Sequence, residues 1–153
     1  MMNTNSARKS LRESQPILIV EDSPDDFDAA KRAFTKANLR NTIHHAISGE
    51  DALAYLRAGT GPKPGIILLD LNMPGLDGRK TLEIIKKSEH LKSIPVVVLT
   101  TSDDERDVKA CYELGANTYI QKPVDFDGLI SAMKRLKEYW FEIAVLPKDK
   151  EYD

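Results

Sequence analysis

Short apolar runs alternate along the chain with longer stretches in which apolar residues recur every three or four positions. "PILIV" (16–20), "TIHHAI" (42–47), "IILLD" (66–70), "PVVVLT" (95–100) and "NTYI" (117–120) are the short runs. Several are continuously apolar, as in strands covered on both faces, and their alternation with helical segments predicts a doubly wound α/β domain built on a parallel sheet. Between the first two runs, Ser23 and Pro24 offer a helix cap and a first-turn proline, and Phe27, Ala30, Phe34 and Ala37 then mark one buried face as far as Asn38. A second helix is expected over 49–57, through Leu53 and Leu56, before "AGTGPKPG" (58–65) breaks regular structure. After "LNMPGLDG", Leu82, Ile84 and Ile85 mark a third helix that Lys86 and Lys87 help to close. A fourth is predicted over 103–114, stopped by Gly115 in the left-handed conformation that glycine favours. The last carries Phe126, Leu129, Ile130, Met133, Leu136 and Trp140 on one side, and "FEIAVLP" stays apolar beyond the point where a short domain would end. That surplus calls for a partner.

At 153 residues the chain fits one domain. Residues 1–15 are polar, with Arg8, Lys9 and Arg12 among serines, and are expected to form a disordered arm. The domain is assigned to 16–146, including the apolar extension 141–146, with a charged tail at 147–153. No run is long enough to cross a bilayer and no secretory signal is evident, so a soluble, cytoplasmic protein is expected. A formal charge of −2 argues against a nucleic-acid partner. Cys111 stands alone and reads as a buried, structural thiol. His44 and His45, adjacent on one strand, point to opposite faces and read as strand filler rather than a metal pair.

In a parallel sheet the residues that end the strands meet along one edge, where ligands of such folds bind. Here that edge receives Glu21 and Asp22 after the first run, Asp70 after the third, Thr100 and Thr101 after the fourth and Lys122 after the fifth. Two carboxylates about 4 Å apart repel by roughly 4 kcal/mol at an effective dielectric near 20, so the cluster needs a neutralising cation. Hard oxygen donors without thiolates suit Mg2+, which keeps waters and favours phosphate oxygens as further ligands. Aspartate can attack phosphorus to give an acyl phosphate, and Asp70, ending the most apolar strand, is the central candidate. Lys122 would offset charge on the phosphoryl oxygens and Thr100 would donate a hydroxyl to one of them.

The set Glu21, Asp22, Asp70, Thr100, Tyr119 and "KP" at 122–123 resembles the response-regulator receiver domain of two-component signalling, over about residues 16–140. The resemblance implies a flavodoxin-like fold with five parallel strands in the order 2-1-3-4-5, phosphorylation of Asp70 by a sensor histidine kinase, and a signalling switch rather than an enzyme with an external substrate. It implies Mg2+ held by Asp22, Asp70 and the backbone carbonyl of Asn72, with Glu21 reaching it through water. It further implies that Thr100 swings toward the phosphoryl group while Tyr119 turns inward, and that the Lys122–Pro123 bond is cis. Asn72 and Ser102 fall where the family tunes phosphoryl lifetime. "TTSDDE" and "KEYWFEIAVLP" are similar to the small regulators paired with phytochromes, which implies a light-sensing kinase and a homodimer with Trp140, Phe141 and Ile143 at the interface. Two other functions fit the residues less well. A haloacid-dehalogenase-like phosphohydrolase would carry an acid where Asn72 stands, and a flavodoxin-type carrier would need a neutral phosphate loop where "EDSPDD" is acidic.

Overall fold

All five apolar runs form strands: β1 (Ile17–Val20), β2 (Ile43–Ala46), β3 (Ile66–Leu69), β4 (Val96–Thr100) and β5 (Thr118–Gln121). The structure, a computed structural model, describes residues 14–73 and 75–145. Expectations for the arm up to residue 13, and for Leu146 and the tail 147–153, fall outside these. The strands pair in parallel in the order β2-β1-β3-β4-β5, as the family resemblance implied. Each crossover is a helix: α1 (Pro24–Lys36), α2 (Gly49–Ala58), α3 (Gly78–Lys87) and α4 (Glu105–Glu113), with α5 (Phe126–Lys137) following β5.

Strand side chains alternate between two cores. Leu18, Val20, Ile67, Leu69, Val96 and Val98 face α2, α3 and α4, while Ile17, Ile19, Ile66, Leu68, Val97 and Leu99 face α1 and α5. Because both faces are covered, the inner strands carry no polar alternation, which is why they read as unbroken apolar runs. Phe34 and Met133, fully buried, anchor α1 and α5; burying a side chain of this kind contributes about 1.5–3 kcal/mol.

Local chemistry sets the helix starts. Ser23 accepts from the Asp26 amide at 3.2 Å with Pro24 in the first turn, Ser48 caps α2, and Asp77, Asp104 and Asp125 cap the others. The Asp104 cap is why α4 begins at Glu105 rather than at Asp103. Gly115 follows α4 with φ +107°, as expected of a left-handed stop. His44 packs on Tyr55 of α2 at 4.6 Å between ring centroids, and His45 stacks on Phe27 of α1 at 3.7 Å, so the two histidines do occupy opposite faces.

Two expectations are corrected. The Lys122–Pro123 bond is trans, the described chain having no cis peptide, in line with the intrinsic trans preference of about 0.5–1 kcal/mol before proline. The apolar surplus after α5 is partly spent within the chain. Helix α5 runs into a π-helical turn (Glu138–Ile143) that brings Trp140, 7% exposed, onto the α1/α5 core, with Phe141 and Ala144 packed beside it. Ile143 remains exposed, with Tyr139 and Val145. At the sheet's β5 edge, the Tyr119 amide donates to the hydroxyl of Tyr112 at 3.1 Å.

Candidate functional site

The sheet ladder extends one rung past the strands and thereby fixes the chemical residues. The amide of Glu21 donates to Ala46 O at 3.0 Å, that of Asp70 to Val20 O at 3.1 Å and that of Lys122 to Thr100 O at 2.7 Å. Register thus places three charged residues from distant parts of the sequence at one edge, as strand-end reasoning anticipates. Gly78 tightens the site from the other side. A Cβ there would run into the backbone of Asp70 and Leu71, so only glycine lets the start of α3 lie against the segment that carries Asp70.

Glu21, Asp22 and Asp70 each present a carboxylate oxygen, and the three oxygens lie within 4.8 Å of one another. Glu21 and Asp70 are buried, at 4% and 8% exposure, and Asp22 stands more open at the mouth. Burial pushes the Glu21 carboxyl up; the hydrogen bond from Lys122 works against this, and the charge of Asp70 adds to it. Burial would lower the Lys122 ammonium, yet its hydrogen bond to Glu21 and the surrounding carboxylates hold it above its ordinary value. Both directions describe a pocket short of positive charge. Two buried hard-oxygen groups converging with a third, and no sulfur or imidazole among them, fit a divalent cation of the Mg2+ kind.

Lys122 Nζ lies 2.8 Å from Glu21 Oε1 and 3.3 Å from Asp26 Oδ2, so its direct partners are these two and not Asp70. Beside them a cavity of about 210 Å³ opens between the first turns of α1 and α5, reaching Asp70, Pro123 and Val124. On the other flank, the buried Thr100 hydroxyl accepts from Asn72 Nδ2 at 3.3 Å, and the Asn72 amide lies 3.4 Å from Asp70 Oδ1. Tyr119 donates its hydroxyl to the carbonyl of Ser102 at 2.8 Å, so its ring is already turned toward the loop after β4.

The structure brings together Glu21, Asp22, Asp70, Asn72, Thr100 and Lys122, with Tyr119 one residue removed through Ser102. Trp140, Phe141 and Ile143 lie at the far end of α5 and belong to no part of this pocket. Sequence reasoning missed Asp26, Gly78 and His45, whose Nε2 is 2.7 Å from the Glu21 carbonyl oxygen. Asp26 lies in the first turn of α1 and Gly78 at the start of α3, and neither role has a one-dimensional signal. Chemically, the edge offers a buried nucleophilic carboxylate, a cation site, a lysine and a hydroxyl, the components of phosphoryl transfer to aspartate.

Residues 17–134 match the response regulator receiver domain. The chain is 39% identical over 142 residues to response regulator Rcp1 of Synechocystis sp., covering 88% of this chain and 97% of that protein. The crystal structure of the phosphorylated cyanobacterial phytochrome response regulator RcpA superposes with a TM-score of 0.81 at 37% identity, covering 88% of this chain and 99% of that one. The Mn2+-bound form of Rcp1 superposes with a TM-score of 0.79 at 38% identity, covering 87% and 99%. An acidic strand-edge pocket on a 2-1-3-4-5 sheet, together with likeness across nearly the whole length of these regulators, makes this chain a member of the response regulator receiver domain family of two-component signalling.

Proposed function

We propose that Asp70 is the phosphoacceptor of this regulator and that its phosphodonor is a sensor histidine kinase of the phytochrome kind. A carboxylate oxygen of Asp70 forms the new P–O bond as the donor's N–P bond breaks, and the imidazole leaves with the electron pair. The observation that carries the proposal is the buried Glu21–Asp22–Asp70 cluster facing Lys122 and Thr100. In this reading Asp22, Asp70 and the Asn72 carbonyl would hold Mg2+, with Glu21 close by, and the cation would supply charge compensation for the phosphoryl oxygens. Lys122 leaves Glu21 and Asp26 to meet the added negative charge, and Thr100 exchanges Asn72 for a phosphoryl oxygen. The loop carrying Ser102 then adjusts, and Tyr119 carries the change to the outer face of β5. Chemistry is confined to the chain's own phosphoryl group, which is gained with Mg2+ and lost slowly.

The phytochrome assignment is supported by the relatives' names, and the cation by the Mn2+-bound relative. We place the protein in the cytoplasm; no helix among the described residues is long and apolar enough to cross a membrane. We also propose a homodimer. Since Trp140 is committed to the chain's own core, its contact surface is the exposed Tyr139, Ile143 and Val145 with the outer edge of Phe141.

Acetyl phosphate with Mg2+ should add one phosphoryl mass to the wild type and none to Asp70→Asn. Equal labelling of the two would remove Asp70 from its role.

A further inference from the structure

A chain of side chains outside the acidic pocket connects three elements that the switch must coordinate. Both oxygens of Asp107, on α4, are occupied. Oδ1 accepts from Arg79 Nε at 2.9 Å and Nη2 at 2.7 Å, and Oδ2 accepts from the Ser102 hydroxyl at 2.7 Å. Arg79 follows Gly78 in the first turn of α3, the end that rests on the backbone of Asp70. Ser102 lies in the loop after β4, and its hydroxyl also accepts from the Asp104 amide at 3.3 Å, beside the cap of α4. The Ser102 amide lies 3.5 Å from Thr100 Oγ1, and its carbonyl is the acceptor of the Tyr119 hydroxyl. The position of one residue, Ser102, is therefore set through its hydroxyl, its amide and its carbonyl.

We infer that Arg79 and Asp107 form a clasp that positions Ser102 and, through its carbonyl, holds Tyr119 turned toward the loop after β4. An isolated surface ion pair would contribute little. This one is one-third exposed on the Arg79 side and less on the Asp107 side, and a third donor fixes the plane of the carboxylate. Linked hydrogen bonds of this kind specify a geometry beyond their summed strength. Without the clasp, the Ser102 hydroxyl loses its acceptor, Ser102 keeps the long contact of its amide to Thr100 Oγ1, and Tyr119 loses a fixed acceptor. The consequence for signalling rests on the reading of Thr100 and Tyr119 as the switch. Arg79 and Asp107 touch none of the groups that meet the phosphoryl oxygens, so they are positioning residues.

The test is made on the full, unphosphorylated chain labelled with ¹³C-tyrosine, the Tyr119 ring signals being assigned with Tyr119→Phe. Because it precedes phosphorylation, failure of Asp70 to take a phosphoryl group would strike the switch reading and leave this readout intact. In Asp107→Ala the Tyr119 ring signals should move from their wild-type positions. The ratio of tied to released ring should fall roughly fivefold, as loss of one hydrogen bond of ordinary net strength implies. Asp107→Asn, which keeps an acceptor for Ser102, should give a smaller change, and adding Arg79→Ala to Asp107→Ala should add nothing further. Ser102→Ala carries the same comparison should Asp107→Ala fold poorly. Tyr119 ring signals matching the wild type in well-folded Asp107→Ala and Ser102→Ala would overturn the clasp.

Discussion

Neutralising Asp70 should make the metal-free protein more stable, although it removes the proposed phosphoacceptor. Asp70→Asn keeps the shape of the side chain and deletes one charge from three carboxylates whose oxygens lie within 4.8 Å of one another. At that separation and an effective dielectric near 20, each pair repels by about 3.5 kcal/mol. Asp70 belongs to two such pairs. The sum must be discounted because Asp22 is open to water, which weakens its share severalfold, and because Lys122 lies 2.8 Å from Glu21 and already offsets part of the field. A net gain of about 1–3 kcal/mol remains for the variant in a chelator, a rise in Tm of roughly 2–4 °C for each kcal/mol at this size. Mg2+ should narrow this difference. At ten times its dissociation constant a bound cation would stabilise the wild type by about 1.4 kcal/mol, and the variant, without one of the proposed ligands, should gain less. Urea denaturation followed by circular dichroism, with and without Mg2+, reads both effects. A variant no more stable than the wild type in chelator would show that the three carboxylates do not repel as their spacing requires.

Two further predictions address parts outside the pocket. The Ser102 hydroxyl, then Arg79, hold the Asp107 carboxyl below its ordinary 3.8, against burial and the nearby charge of Asp104. The unfolded chain therefore binds the extra proton first, so this contribution is complete above pH 3.8 and fades as pH falls through the lower folded value. Thermal melts of Asp107→Asn should accordingly show a shallower acid limb than the wild type, and parallel limbs would contradict this. At the end of α5, Trp140→Ala should cost about 3–5 kcal/mol of folding stability because the ring is buried in the chain's own core. Ile143→Glu, at an exposed position, should leave stability nearly unchanged and shift sedimentation velocity toward the monomer; unchanged sedimentation would count against the proposed interface.

What could be read from the sequence was what depends on short-range pattern. Unbroken apolar runs gave the inner strands, Ser23 with Pro24 gave the start of α1, and the strand ends gave Glu21, Asp70, Thr100 and Lys122, because in a parallel sheet those ends must converge. Strand bounds moved by only a residue, as for β3, which closes at Leu69 with Asp70 on the next rung. What could not be read depends on which side chain meets which across the fold. Arg79 and Asp107 are 28 positions apart and each passes locally for an ordinary helix-surface charge. Gly78 matters because of a backbone that approaches it from β3. Lys122 could be placed at the edge, but its partners Glu21 and Asp26 lie 101 and 96 positions away and carry no local signal of that pairing. The apolar stretch after α5 showed that something must be covered; that Trp140 would be covered by its own chain follows only from the π-helical turn, which rotates it onto the core.

The Tyr112 hydroxyl bonded to the Tyr119 amide has a bearing on assembly. An unguarded terminal strand invites a second polypeptide to zip onto it, a route toward open-ended aggregates. Here the donor that an incoming strand would seek is occupied by a neighbouring phenol, and β5 is only four residues long. Self-association by strand addition is therefore discouraged along this border, and contacts made there must rely on side chains, which can be gained and released as the regulator changes state.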